Sequence, residues 1–266
     1  MIFTDQFVYV HEPKTGGTFV TTALFRLYGL RWTRLTHLHN SLAGEVRHSN
    51  AKYGLLIHDS NKHGFCSSIP AAHREKTVLA SVRNPYDLYV SQYEFGWWRR
   101  REFQRYFRAV PSFEEAYPRF PEISFDEYVR LVNEAFPVYS NGDRETSRGL
   151  HTEQFFKYYF RRAPEAFARM KRDAEYVSSG RCREDMFRLH FIRTDALNQG
   201  LYDFLSQMNY DDEDIRFILD LGRILPRGRG RQGEQQKWER YYTPELKRWV
   251  REKERFIFEL FPEFDV

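Results

Sequence analysis

Apolar residues in this chain come as short unbroken runs that alternate with helix-spaced patterns, and that alternation predicts an α/β fold. Four runs rich in β-branched and aromatic residues, at 7–10, 54–57, 77–82 and 188–192, have the length of buried strands. The first and third pass straight into helical patterns, through Lys14-Thr15-Gly16-Gly17 and through Arg83-Asn84-Pro85. Within 18–28, Phe19, Ala23 and Leu27 recur every fourth residue and share one helix face. Strands that feed helices in this order imply a parallel sheet flanked by helices, with right-handed crossovers. Residues 1–6 read as a short polar segment, with the first strand-like run beginning at once at Phe7. Residues 95–185 read as mostly helical, an insertion that shapes a pocket rather than a separate domain. Further helices are expected over 198–208 and 212–221. Thr243-Pro244-Glu245 opens a last helix with a cap, a first-turn proline and an acidic first turn. That helix should turn Leu246, Trp249, Val250, Phe256, Ile257 and Leu260 towards the core.

Composition narrows the class. With 266 residues, 41% of them apolar and 29% charged, the chain can bury a core, and one domain over 1–266 is expected. Wholly disordered, collagenous and coiled-coil chains are excluded. No run approaches eighteen uncharged apolar residues, so no membrane span is expected. With no targeting segment ahead of the first strand, a soluble, cytoplasmic chain is the expectation. Cys66 and Cys182 are too few for a disulfide framework and too far apart for a zinc motif, and read as free thiols. Basic and acidic residues nearly balance at 41 to 37, so their distribution matters more than the sum. Arginines cluster at Arg99, Arg100, Arg101, Arg105 and Arg108, and again at Arg223, Arg227, Arg229 and Arg231. Such clusters suit phosphate, sulfate or carboxylate, or form a solvated basic face.

The most informative segment is Val10-His11-Glu12-Pro13-Lys14-Thr15-Gly16-Gly17-Thr18-Phe19. A strand ends, a lysine and two glycines make a tight turn, and a helix begins. Successive N–H groups and a helix N-terminus then converge on one spot, which makes an anion cradle, and the alternative is an ordinary glycine turn. The nucleoside triphosphatase loop places both glycines before the lysine, whereas here they follow it, which weakens a kinase or ATPase reading.

Pro13-Lys14-Thr15-Gly16-Gly17-Thr18 resembles the 5′-phosphosulfate loop of sulfotransferases, especially the carbohydrate type. A second likeness lies at Leu79-Ala80-Ser81-Val82-Arg83-Asn84-Pro85, with Ser91 eight residues after Arg83. A third is C-terminal, in Tyr241-Tyr242-Thr243-Pro244-Glu245-Leu246 and Phe258-Glu259-Leu260-Phe261. Glu12 and Asn84 depart from the pattern, standing where an apolar residue and an Asp are commoner. The resemblance implies a P-loop NTPase-like sheet and 3′-phosphoadenosine 5′-phosphosulfate as donor, with 3′,5′-adenosine bisphosphate as product. It implies no metal, and a hydroxyl acceptor on a carbohydrate or other small molecule, with no nucleic-acid partner. It also implies that Pro13, Lys14, Thr15, Gly16, Gly17, Thr18 and Phe19 hold the 5′ end and that Arg83 and Ser91 hold the 3′-phosphate. Arg229 and Arg231 would belong to a basic flap, the alternative being a short RG-rich nucleic-acid contact.

Lys14 is placed to stabilise charge on the departing phosphate. A general base is needed for the acceptor, and His58, at the carboxyl end of the second run, is the choice among nine histidines. His37 and His39 are rivals. His11 is expected to support the cradle, and His63 to lie on a surface loop. Arg99 to Arg101, behind Trp97 and Trp98, bind an acceptor or simply line a helix surface. Two rival functions remain open from the residues, a nucleotide kinase and a non-catalytic nucleotide- or RNA-binding module.

Overall fold

The computed structural model describes residues 1–141, 148–173, 175–222, 224 and 237–266, so the arginines expected in a flap, Arg229 and Arg231, lie outside the described residues. The chain forms two compact units: Met1–Arg83 with Tyr158–Ala163 and Arg183–Pro226, and Asn84–Lys157 with Pro164–Cys182 and Arg227–Val266. Among the described residues no helix is long and apolar enough to cross a membrane.

The first unit holds a six-stranded sheet with strands β1 (Ile2–Thr4), β2 (Phe7–Val10), β3 (Glu45–Asn50), β4 (Gly54–Asp59), β5 (Thr77–Val82) and β6 (Leu189–Arg193). Their order is β3-β4-β1-β2-β5-β6. The sheet is mixed, which corrects the wholly parallel one expected: β2, β5 and β6 run parallel, while β3, β4, β1 and β2 pair antiparallel. Two tight turns cause the difference. At the first, the Thr4 hydroxyl donates to the Phe7 carbonyl at 2.8 Å and accepts the Phe7 N–H at 2.9 Å, closing a hairpin over Asp5-Gln6. At the second, Asn50 Oδ1 accepts from Lys52 N and Tyr53 N, both at 2.9 Å, and Gly54 follows at φ 78°. β1 escapes a sequence reading because it is three residues long and its polar neighbours are the turn. β3 escapes because, of its six residues, only Val46 is buried.

The 12-residue helix α1 (Gly17–Tyr28) buries Phe19, Val20, Ala23, Leu24 and Leu27. They meet Phe7, Tyr9, Leu56 and Leu79 of the sheet and Leu201, Phe204 and Leu205 of the helix Leu197–Gln207. The mixed α/β unit therefore rests on one apolar cluster, each large side chain contributing roughly 1.5–3 kcal/mol. α2 (Arg34–Ala43) starts at a capping box made by Thr33 and Thr36 and buries only Asn40. Past the strands the expected helix at 212–221 is shorter, an α-helix over Asp212–Ile215 followed by a 3-10 turn over Arg216–Ile218.

In its described residues the second unit is helical. It opens with α3 (Pro85–Phe95), capped by Asn84, whose Oδ1 accepts from Tyr86 N at 3.0 Å. Asn84 Nδ2 also donates to the Phe264 carbonyl at 3.1 Å. An aspartate could cap but could not donate, which accounts for asparagine at this position. Asn84→Asp is therefore expected to lower stability by about 1–3 kcal/mol, seen as a lower urea midpoint. Trp98 is fully buried, with its indole N–H donating to the Tyr93 carbonyl, so its ring cannot stack on an acceptor. Arg99 lies over that ring at 4.7 Å.

The final helix is two helices, Pro244–Lys253 and Arg255–Leu260, broken at Glu254. Thr243 caps the first by accepting from Leu246 N, as expected. Trp249 is only half-buried, with Arg130 and Lys253 over its ring, rather than in the core. The break has a cause. Glu254 is fully buried and its carboxylate accepts from Tyr89 Oη at 2.5 Å, His151 N at 3.0 Å, Thr152 N at 2.7 Å and Thr152 Oγ1 at 2.7 Å. It thereby caps the helix Leu150–Tyr159.

Candidate active site

In the first unit, the turn from β2 into α1 adopts a backbone that its lysine does not favour. Lys14 has φ 70° and Gly16 φ 94°, both left-handed. Glycine takes this form freely, whereas for lysine it costs ~1–2 kcal/mol. Long-range bonds hold it. Arg83, just past β5, donates from Nη1 to the Lys14 carbonyl at 2.8 Å. Thr194, just past β6, donates from Oγ1 to the Thr15 and Val82 carbonyls at 3.1 and 2.8 Å. The Thr15 hydroxyl is buried, donating to the Glu12 carbonyl at 2.9 Å and lying 2.9 Å from Ser81 Oγ. Glu12 is itself buried, and its carboxylate accepts from Tyr159 Oη at 2.8 Å.

The two glycines are also required by packing. A Cβ on Gly17 would fall 1.8 Å from the His11 ring, and one on Gly16 2.4 Å from Leu197 Cδ1. α1 starts there with no side-chain cap and no acidic residue in its first turn. The positive end of the helix thus stands beside Lys14 and Arg83. Burial and the Arg83 charge lower the Lys14 pKa to about 8. Two cations, one half-desolvated, at an uncapped helix N-terminus fit an anion and nothing cationic. Affinity for an anion at this turn should hold steady below pH 8 and fall by up to about tenfold per pH unit above it, as Lys14 loses its proton. Calorimetric titration with adenosine 3′,5′-bisphosphate between pH 6.5 and 9.5 measures this.

The other loop residues divide by role. Phe19 lies in the core, and its N–H donates to the Gly16 carbonyl at 2.9 Å. Pro13 is half-buried. Thr18 lines a cavity of about 220 Å³ whose walls include Tyr9, His11, Phe25, Trp32, His58 and Lys62. Ser91 is buried on α3 of the second unit.

His58 reaches this cavity through the strand register. β4 is antiparallel to β1 and β1 to β2, so β4 points the same way as β2 and its carboxyl end is level with the loop's. His58 and Tyr9 both pair with Ile2, which places the three side chains on one face of the sheet. The imidazole stands edge-on between Phe25, at 5.3 Å between ring centroids, and Trp32, at 4.8 Å. Burial lowers its pKa to about 4, with the Lys62 charge adding to the effect. His58 is therefore neutral at neutral pH and able to accept a proton. His11 is likewise neutral, its pKa lowered by burial to about 3, and its ring seals the loop against Gly17.

His37 and His39 lie on the exposed side of α2 and are not among the residues lining the cavity. His63 is exposed and donates from Nδ1 to the His11 carbonyl at 2.9 Å. Sequence reasoning did not single out Ser81, Thr194, Tyr159, Trp32 or Asn40. Each acts through a partner far away in the chain, a relation that spacing does not carry.

A family model described as "Sulfotransferase family" matches residues 2–262. No curated protein and no solved structure gives a significant match.

Proposed function

The chain belongs to the sulfotransferase family, and from that premise we propose that it moves a sulfuryl group from 3′-phosphoadenosine 5′-phosphosulfate to a hydroxyl, on a carbohydrate or glycoconjugate. Membership makes it a transferase; the donor, the acceptor class and the residue roles are our reading. One observation carries it most: the Arg83 guanidinium, 69 residues along the chain, bonds the carbonyl of Lys14 itself. The two segments that resemble the donor-binding motifs thus share one cationic turn on the β2–α1 connection, which supports a P-loop-like arrangement. We read residues 1–266 as one sulfotransferase domain, because a single family match runs through both compact units.

In this reading Lys14 and the first N–H groups of α1 take the 5′-phosphate, with Gly16, Gly17 and Thr18 allowing close approach. Pro13, Thr15 and Phe19 shape the turn, since the Thr15 hydroxyl and the Phe19 amide are committed to it. Arg83 attracts phosphate while holding Lys14 in place, and the resemblance adds Ser91 for the 3′-phosphate. Transfer is an in-line displacement: the acceptor oxygen forms a bond to sulfur as the bond to the phosphate oxygen breaks. The acceptor's proton passes to His58, and charge on the leaving phosphate is met by the Lys14 ammonium. Thr18 belongs both to the loop and to the wall of the His58 cavity, which supports placing acceptor and donor side by side.

Binding tests the assignment. Adenosine 3′,5′-bisphosphate should bind without magnesium and far more tightly than 5′-AMP. Magnesium-dependent preference for ATP would replace this reading with a kinase, and RNA binding without bisphosphate binding would replace it with a binding module.

A further inference from the structure

α2 is exposed along most of its length, yet one of its side chains is buried. That residue is Asn40, and its Oδ1 lies 3.3 Å from His58 Nδ1. An amide oxygen can only accept, so at this contact the imidazole Nδ1 carries the proton and donates. The neutral ring then keeps its lone pair on Nε2, the nitrogen on the far side from Asn40. Phe25 and Trp32 hold the ring on its flanks, but aromatic edges do not distinguish the two nitrogens. Among the described residues, the hydrogen bond to the ring that does so is the one with Asn40. The capping box at Thr33 and Thr36 starts α2, and Gly44 N donates to the Asn40 carbonyl at its end, so the residue sits on an anchored turn.

We propose that Asn40 is a positioning residue for sulfuryl transfer, fixing His58 as the Nδ1–H tautomer so that Nε2 is the atom that takes the acceptor's proton. This rests on the reading of His58 as the base. Asn40 stays out of the nucleotide site: it is not among the loop residues or the cavity lining. Among the described residues, the charged and titratable groups that act on the ring are Lys62, His11 and the amine of Met1, and none of these is a carboxylate. The tautomer is thus set by an uncharged amide and is not tied to a neighbouring acid.

The test uses the whole chain with Asn40→Leu, Asn40→Asp and His58→Ala. Asn40→Leu removes the acceptor at similar volume and is expected to lower kcat at least about tenfold, with KM and bisphosphate affinity unchanged. In the His58→Ala background the same change should cost nothing further, because the two residues act as a unit. Asn40→Asp keeps an acceptor and adds a charge that favours the imidazolium. It should restore turnover and move the acid limb of the kcat profile to higher pH. Nitrogen-15 shifts of the His58 ring should report Nδ1–H in the native chain and a mixture of tautomers in Asn40→Leu, whatever the acceptor. An unchanged kcat in Asn40→Leu, an equal loss without His58, or an unmoved acid limb in Asn40→Asp would overturn the proposal. If the native chain transfers no sulfate, the functional reading fails. The nitrogen shifts then still decide the tautomer, and Nε2–H in the native chain rejects the role given to Asn40.

Discussion

Lys14→Ala is expected to lower kcat about 10²–10³-fold, equivalent to roughly 3–4 kcal/mol of barrier, with no loss of the fold. The ammonium stands at an uncapped helix N-terminus beside Arg83, where negative charge on a leaving phosphate would gather. Its effect should therefore be larger on kcat than on bisphosphate affinity, since that charge grows as the bond to sulfur breaks. Stability should rise slightly if it changes at all, because alanine removes a half-buried charge that Arg83 repels. Lys14→Arg should recover little, since a guanidinium is larger and planar where a compact ammonium fits. Single-turnover assays with labelled donor, beside circular dichroism, separate these effects. A variant retaining more than a tenth of native turnover would remove Lys14 from the chemistry.

The second large effect falls on stability. Glu254→Ala should cost about 3–5 kcal/mol, because it strips the acceptor from two buried backbone N–H groups and the buried Thr152 hydroxyl, and leaves the Tyr89 hydroxyl only Asn133 Oδ1 at 3.0 Å. Glu254→Gln keeps one acceptor oxygen and should lose less. The pH dependence follows from the same burial, which pushes the Glu254 carboxyl up despite its four donors. A raised carboxyl pKa means that the folded state holds the proton more tightly than the unfolded chain. Stability from this group is therefore greatest in acid and declines as pH climbs from the ordinary carboxylate range through the raised value. Urea unfolding of the native chain and of Glu254→Gln across pH 4–8 should show that slope in the first and a flatter profile in the second. A native slope of the opposite sign would mean that the four donors outweigh the burial.

Much of the first unit was legible beforehand. Thr77–Val82 is observed as expected, and Phe7–Val10 likewise, because buried strands between turn residues are dense apolar runs. Thr243 at the last helix was equally plain, since a cap acts on its own next turn. The failures have the opposite character. β3 shows little apolar patterning, and β1, although Ile2 and Phe3 are buried, is too short to show a period; both pair with β4 and end at tight turns. The break at Glu254 was hidden because its causes, Tyr89 and the 151–152 amides, are about a hundred residues or more away. Trp249 looked like core by spacing, but helical spacing does not say what lies opposite.

By itself the sequence determined the local pattern: a turn with a lysine and two glycines between a strand and a helix, an arginine at a second strand end, and a histidine at the close of another strand. These follow from glycine's conformational freedom, lysine's charge and the period of apolar residues, all of which act over a few positions. Tertiary structure alone decided that Arg83 bonds the carbonyl of the left-handed Lys14, that hairpins turn β4 to bring His58 level with the loop, and that Asn40 lies within hydrogen-bond reach of the imidazole. Those outcomes depend on strand register and on hydrogen bonds between distant segments, whose partners become neighbours only when the core closes.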